Sequence, residues 1–344
     1  MAGIPVPPAL PLPLPIAPLA AEVAIIFLFL LHILFVNLMV GGSLLTVAFE
    51  IAGRRNRDLD AVAHEIAATV TVNKSLAVVL GVGPLLVMNV LYTIHFYTAN
   101  ALTGNAWIMI VPLVIAAFLM TYAHKYSWEV LAEVKGLHVA IGCAAALLFL
   151  LVPLIFLTNV NLMLFPAHWP SVRGFLSALV LPNVLPRYLH FLLASVAVTG
   201  LFLAGYFGRR RFPLEERLPG MDRTALRRRF IAVAFAATAA QLVAGPLLLF
   251  TLPAAGMGWT LLFNVLAGIG LAVAALWAMW REIVAPQKHL GARYVAIATL
   301  LSGTVVFMGY GRHLYREGAL EAHRTLVAEA TEEWSYLKFP FYRA

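Results

Sequence analysis

Along the chain, long apolar stretches alternate with short segments in which charge gathers. Eight stretches are long enough to cross a bilayer, at roughly 22–50, 75–98, 106–124, 137–163, 187–208, 230–252, 259–280 and 292–312. About 20 apolar residues at 1.5 Å each span the hydrocarbon, and a helix satisfies its own backbone there. The pattern predicts an all-α integral membrane protein of eight transmembrane helices, and an even number places both termini on one side. Prolines at 5, 7, 8, 11, 13, 15 and 18 predict an extended lead-in over 1–20, since proline removes the backbone donors a helix uses. Five helices follow within 21–208, a basic loop at 209–229, three more helices within 230–312, and a tail at 313–344. The tail mixes charge with Trp334, Tyr336, Phe339, Phe341 and Tyr342. It reads as an amphipathic surface helix that continues the last span, then a segment for docking a partner.

Composition sharpens the class. The chain is 62 % hydrophobic and 12 % charged, where a soluble domain carries about 25 % charged residues. Cys143 is the single cysteine, so there is neither a disulfide framework nor a Cys-x-x-Cys-His for covalent haem. No Lys or Arg occurs in the first 53 residues, so 1–20 lacks the basic start of a signal peptide. Of the 24 Lys and Arg, 17 fall in the loops 53–74, 125–136, 209–229 and 281–293. The positive-inside rule makes those loops cytoplasmic and puts both termini outside, on the periplasmic face. The run of arginines at each end of 209–229 suggests two four-helix units.

Of the ten histidines, four share one depth. His32 lies about ten residues into the first span. His95 and His190 lie near the outer ends of the second and fifth, and His313 ends the eighth. An ionisable group in hydrocarbon is costly and marks function, and imidazoles on facing helices suit haem iron. The small residues Gly41, Gly42 and Ser43 below His32, and Ala194, Ala197 and Ala204 below His190, offer room for a porphyrin. The competing reading is that small residues at helical spacing let membrane helices pack closely. Met257 and Met308 are at usable depth for an axial thioether. His124 and His138 end the third and fourth spans, where interfacial anchoring explains them as well as ligation does. Glu50 lies near the inner end of the first span. Asn37, Asn89, Asn159, Asn161, Gln241 and Asn264 are expected to bridge helices. No acidic residue lies mid-span, so a chain of carboxylates for proton transfer across the bilayer is not expected.

Four segments carry a likeness to a known family: "LHILFVNLMVGG" (31–42), "TYAHKYSWEVLAEVKGLH" (121–138), "LTNVNLMLFP" (157–166) and "RYLHFLLASVAVTGLFLAGYF" (187–207). In order and depth, over about 20–250, the chain resembles the haem-bearing subunit I of cytochrome bd-type quinol oxidases. The resemblance implies that His190 ligates a low-spin b haem and His32 the haem of the oxygen site, with Met257 as a methionine ligand. The third span lacks the family's glutamates, and the loop near 252–258 is far shorter than the family's quinol loop. These departures point away from oxygen reduction. His95 and His313 lie outside that pattern and are expected as partner ligands that make a site bis-histidine. Taken together, depth and resemblance point to a b-type cytochrome subunit with one or two b haems in a bacterial or archaeal inner membrane. It would pass electrons between a membrane quinone and a c-type cytochrome or other membrane subunit at the outer face, in contact with lipid and not with nucleic acid. The alternatives are a bd-like terminal oxidase subunit and a non-haem membrane anchor or transporter.

Overall fold

The computed structural model describes residues 16–286 and 291–338, with side chains to residue 330. The first 15 residues of the lead-in and Phe339, Phe341 and Tyr342 fall outside that set, and the side chains of Trp334 and Tyr336 fall outside the described side chains. The described residues are helical without a strand, and eight helices are long and apolar enough to cross a membrane. We number the principal helices α1 (Pro18–Gly53), α2 (Arg57–Leu91), α3 (Thr93–Thr103), α4 (Ile110–Tyr126), α5 (Lys135–Leu164), α6 (Val184–Gly208), α7 (Arg223–Phe250), α8 (Trp259–Ile283) and α9 (Tyr294–Lys338). All but α3 correspond to spans, α4 being lengthened by the turn Asn105–Ile108.

Local chemistry sets the helix starts. Asn56 caps α2, accepting from the amides of Asp58 (3.0 Å) and Leu59 (3.3 Å), and Asp58 and Asp60 meet the positive end of the helix. Asp222 caps α7 through the Ala225 amide at 2.9 Å. The Thr224 hydroxyl and that amide hold its carboxyl below the ordinary value.

Two elements depart from the expected boundaries. Residues 57–74, read above as loop, form the first half of α2. Their charge lowers the local hydropathy, but Val62, Ala63, Ile66, Ala67 and Val70 recur on one face and are buried, the stripe of a packed helix. Lys74, counted above as a loop cation, is therefore mid-helix and 0 % exposed. At the other end of the chain, α9 runs without a break through the tail for 45 residues, about 68 Å at 1.5 Å per residue. Tyr315, Leu320 and Val327 form its buried stripe. Tyr315 and Leu320 share a core with Tyr92, Phe96, Leu162 and Trp169, so this part of the tail docks on the protein's own helices.

The central helix α1 packs on α2, α5 and α6; α6 packs on α7, α4 on α5, and α8 on α9. The contact between α1 and α6 is close. A Cβ at Gly41 would run into the Ser195 carbonyl and the Thr199 hydroxyl. Gly42 abuts Val70 of α2, and Gly200 abuts Phe230 and Ala234 of α7. The space at Gly41 and Gly42, expected to leave room for a porphyrin, is thus filled by neighbouring helices, the competing reading given above.

The amides divide in two. Asn37 joins α1 to α6, Asn159 joins α5 to Asn100 of α3, and Asn161 reaches the Pro182 carbonyl. Asn89 and Asn264 turn back instead to carbonyls of their own helices.

Candidate functional site

Polar side chains gather at both ends of the bundle. At the end bearing the tail, α1 and α6 run in the same direction in a fixed register. Ser195 Oγ donates to Asn37 Oδ1 (3.0 Å), and Thr199 Oγ1 donates to the Asn37 carbonyl (3.0 Å). His32 and His190 each lie five residues earlier, about 7.5 Å along their helices, and so share one level. They point to different neighbours. His32 lies flat against Gly81 of α2, and its Nδ1 contacts the Ala77 carbonyl at 3.0 Å. A carbonyl only accepts, so Nδ1 holds the proton and Nε2 keeps its lone pair. His190 faces Gly245 of α7, and its Nδ1 is buried without a hydrogen-bond partner.

His95 and His313 are engaged elsewhere. His95 Nε2 meets His323 Nδ1 at 3.0 Å, and Trp169 flanks both rings. The two imidazoles share a hydrogen bond. Burial, then the nearby His323 and Arg324, push His95 down to about 3. His313 Nδ1 accepts from Arg316 Nη2 at 2.9 Å, and its Nε2 lies 3.3 Å from Glu22 Oε1. Both of its ring nitrogens therefore have polar partners in this structure. Met257 is 41 % exposed just before α8, and Met308 packs on Gly268 of that helix.

Arginines surround this level. Arg187, one turn before His190, donates Nε and Nη2 to Asn183 Oδ1. Asn183 sits in the left-handed region, φ 77°, and its amide donates to the Leu248 carbonyl and to Thr251 Oγ1. Arg312 lies over the Phe29 ring (4.2 Å) and within electrostatic range of Arg187 and Arg316. Arg316 stacks on Tyr92 (4.6 Å) and keeps a buried, unpartnered Nε. Tyr92 donates to Glu317, which pairs with Arg324 at 2.6 Å. Burial, the largest influence, pushes the Tyr92 phenol up to about 12.

As a haem site, these residues fit at the ligands and not at the grooves. His32 carries the tautomer locked by a carbonyl that metal-bound imidazoles show. His190 has an orphaned nitrogen, and three arginines lie at this end of the bundle. The small-residue surfaces proposed from sequence are closed by helix contacts.

The opposite end holds a constellation that sequence reasoning left as anchors. Glu50 of α1, His124 of α4 and His138 of α5 converge, with exposures of 0, 4 and 0 %. His124 Nε2 is 2.7 Å from Glu50 Oε2, and His138 Nδ1 contacts Glu50 Oε1. His138 Nε2 donates to the His124 carbonyl at 2.8 Å, and the two rings stack at 4.3 Å. Lys135 Nζ lies 3.2 Å from Glu50 and 2.6 Å from Asp60. Trp128 donates to Asp60 and sets its ring edge-on to both imidazoles. His64 stacks on the same Trp128 at 4.8 Å.

One turn removed in kind, Lys74 Nζ has no hydrogen-bond partner and sits 3.3 Å from the centre of the Tyr122 ring. Against known proteins, the chain matches no family and no curated protein.

Proposed function

We propose that the protein is a membrane b-type cytochrome subunit that passes electrons between a membrane quinone and a c-type cytochrome or other subunit. The observation that carries the reading is the placement of His32 and His190. They share one level on parallel helices, His32 Nε2 keeps its lone pair, His190 Nδ1 has no hydrogen-bond partner, and Arg187, Arg312 and Arg316 lie at the same end of the bundle. Haem b, when bound, supplies one-electron chemistry. His32 and His190 would hold iron, each at its own site because they face different helices. The arginines would neutralise the propionates, and the Ala77 carbonyl would keep the His32 lone pair directed outward from its backbone contact. Leaving out Lys74, which is mid-helix, 16 of the 17 basic residues counted in one set of loops support a cytoplasmic-membrane orientation with the tail outside, in a bacterial or archaeal cell. Quinol oxidation near the tail would then release protons outside.

The test is an optical spectrum of the purified protein, dithionite-reduced minus oxidised, with and without carbon monoxide, and a haem count by pyridine haemochrome. The expected result is b-type bands, with one haem lost in His190→Ala and another in His32→Ala. Bands that carbon monoxide shifts would mark a haem with one protein ligand, and bands that ignore it a haem with two. A folded preparation without haem would overturn the reading.

A further inference from the structure

We infer that Glu50, His124 and His138 form a binding site for a divalent transition-metal ion, distinct from the histidines assigned to haem. One carboxylate and two imidazoles are a ligand set for zinc and for non-haem iron. Here they come from three helices, with ligand atoms all within 4.8 Å of one another. Small side-chain rotations convert that spacing into bonds of about 2.0–2.2 Å.

Proton bookkeeping at the site asks for a cation. The His124 carbonyl only accepts, so His138 Nε2 carries a proton. In the neutral imidazole Nδ1 then turns a lone pair toward Glu50 Oε1. Two acceptors face each other only with a proton or a metal ion between them. The carboxylate is also short of charge. Glu50 is fully buried, and the lysine that reaches it, Lys135, lies closer to Asp60. A buried carboxylate left short of positive charge is costly. The hydrogen bond from His138 to a backbone carbonyl is the outer contact that orients metal-bound imidazoles.

The surroundings provide an open position and a fitted seat. A cavity of about 20 Å³ touches His124 and is lined by Ser43, Thr46, Thr121 and Gly142, room for about one water. Each of those hydroxyls donates to a carbonyl of its own helix, so the oxygens offer the cavity lone pairs. They are set to accept from a metal-bound water. Gly142 makes the seat, because a Cβ there would come within 2.7 Å of His124 Nε2.

The test uses the full-length chain in detergent, stripped with a chelator and dialysed against Zn²⁺, with bound zinc counted by elemental analysis. Haem is read separately by its absorbance. The wild type is expected to hold stoichiometric zinc and to gain thermal stability from it. Glu50→Gln and His138→Gln are expected to lose at least tenfold in zinc affinity with haem content unchanged. Because those changes could also unfold the cluster, Lys135→Met is the second arm. Removing the competing ammonium is expected to tighten zinc binding several-fold, whereas an ion-paired cluster with no metal role would be loosened. Stripped wild type that binds zinc no better than Glu50→Gln, or a Lys135→Met variant that binds no tighter, would overturn the inference and leave a protonated histidine–carboxylate pair. Haem loss with zinc binding intact would bear on the cytochrome reading alone.

Discussion

Ser195 Oγ and Asn37 Oδ1, 3.0 Å apart, tie α6 to α1 at the level where Gly41 lets the two backbones meet. A methyl group at position 41 has no room, because what it would strike is the Ser195 backbone and the Thr199 hydroxyl. Gly41→Ala is expected to destabilise the fold by about 1–3 kcal/mol, the usual cost of overpacking. Ser195→Ala is expected to cost less, roughly 0.6–1.7 kcal/mol for an interhelical hydrogen bond in a membrane protein. Thermal unfolding in detergent would rank them, and an unaffected Gly41→Ala would mean that the helices separate easily there.

Tyr92 makes the tail sensitive to alkali. Its folded value is near 12 because of burial, against about 10 in an unfolded chain. A raised value contributes stability that is complete below about pH 10 and is lost as pH climbs through 12. The melting temperature is expected to fall across that window, and Tyr92→Phe is expected to flatten the fall. The same substitution removes the donor to Glu317, at roughly 1.5–3 kcal/mol for a bond to a charged acceptor, and leaves the Glu317–Arg324 pair in place.

His95 gives the opposite sensitivity. Burial, then His323 and Arg324, hold it near 3 when folded, against about 6.5 unfolded. A depressed value contributes stability that is complete above about pH 6.5 and lost as pH falls toward 3. Melting temperatures recorded from pH 7 to pH 4 are expected to decline in the wild type and to decline less in His95→Gln. Identical slopes would show that protonating His95 does not open the contact with α9.

Lys74 is expected to be a cost to the fold. Its ammonium is buried with aromatic faces and no acceptor, and a cation–π contact offsets only part of the desolvation. Lys74→Met, which keeps the length of the side chain, is expected to raise the melting temperature. A fall would mean that the cation is needed where it is.

Much of the helical layout was legible because a membrane span announces itself by length and hydropathy, whatever it packs against. The start of α2 was not, because 57–74 is amphipathic: its buried stripe is diluted by the charges on its other face, and a hydropathy reading averages the two. The small residues of α1 and α6 marked a close approach, yet sequence does not say whether a cofactor or a helix fills it; Gly41 shows that the filler is Ser195. His124, His138 and Glu50 come from three helices, the carboxylate 74 residues from the nearer histidine, so no local spacing betrays them. The signal that was present is a shared depth at one end of the bundle. The same criterion selected His32 and His190 at the other end. His323 lies in the tail, and nothing in 313–330 foretells that this stretch of α9 packs against Trp169.

Glu22 and Glu50 belong to one helix, 28 residues apart, about 42 Å along its axis. Each anchors a polar cluster, one with His313 and the other with His124 and His138. The two clusters therefore stand farther apart than the roughly 30 Å of hydrocarbon in a bilayer. One elementary charge carried from one cluster to the other across 100 mV changes energy by about 2.3 kcal/mol, about fifty-fold in an equilibrium constant. A cation crossing between them would feel the membrane potential, whereas one that binds a cluster from its own side would not.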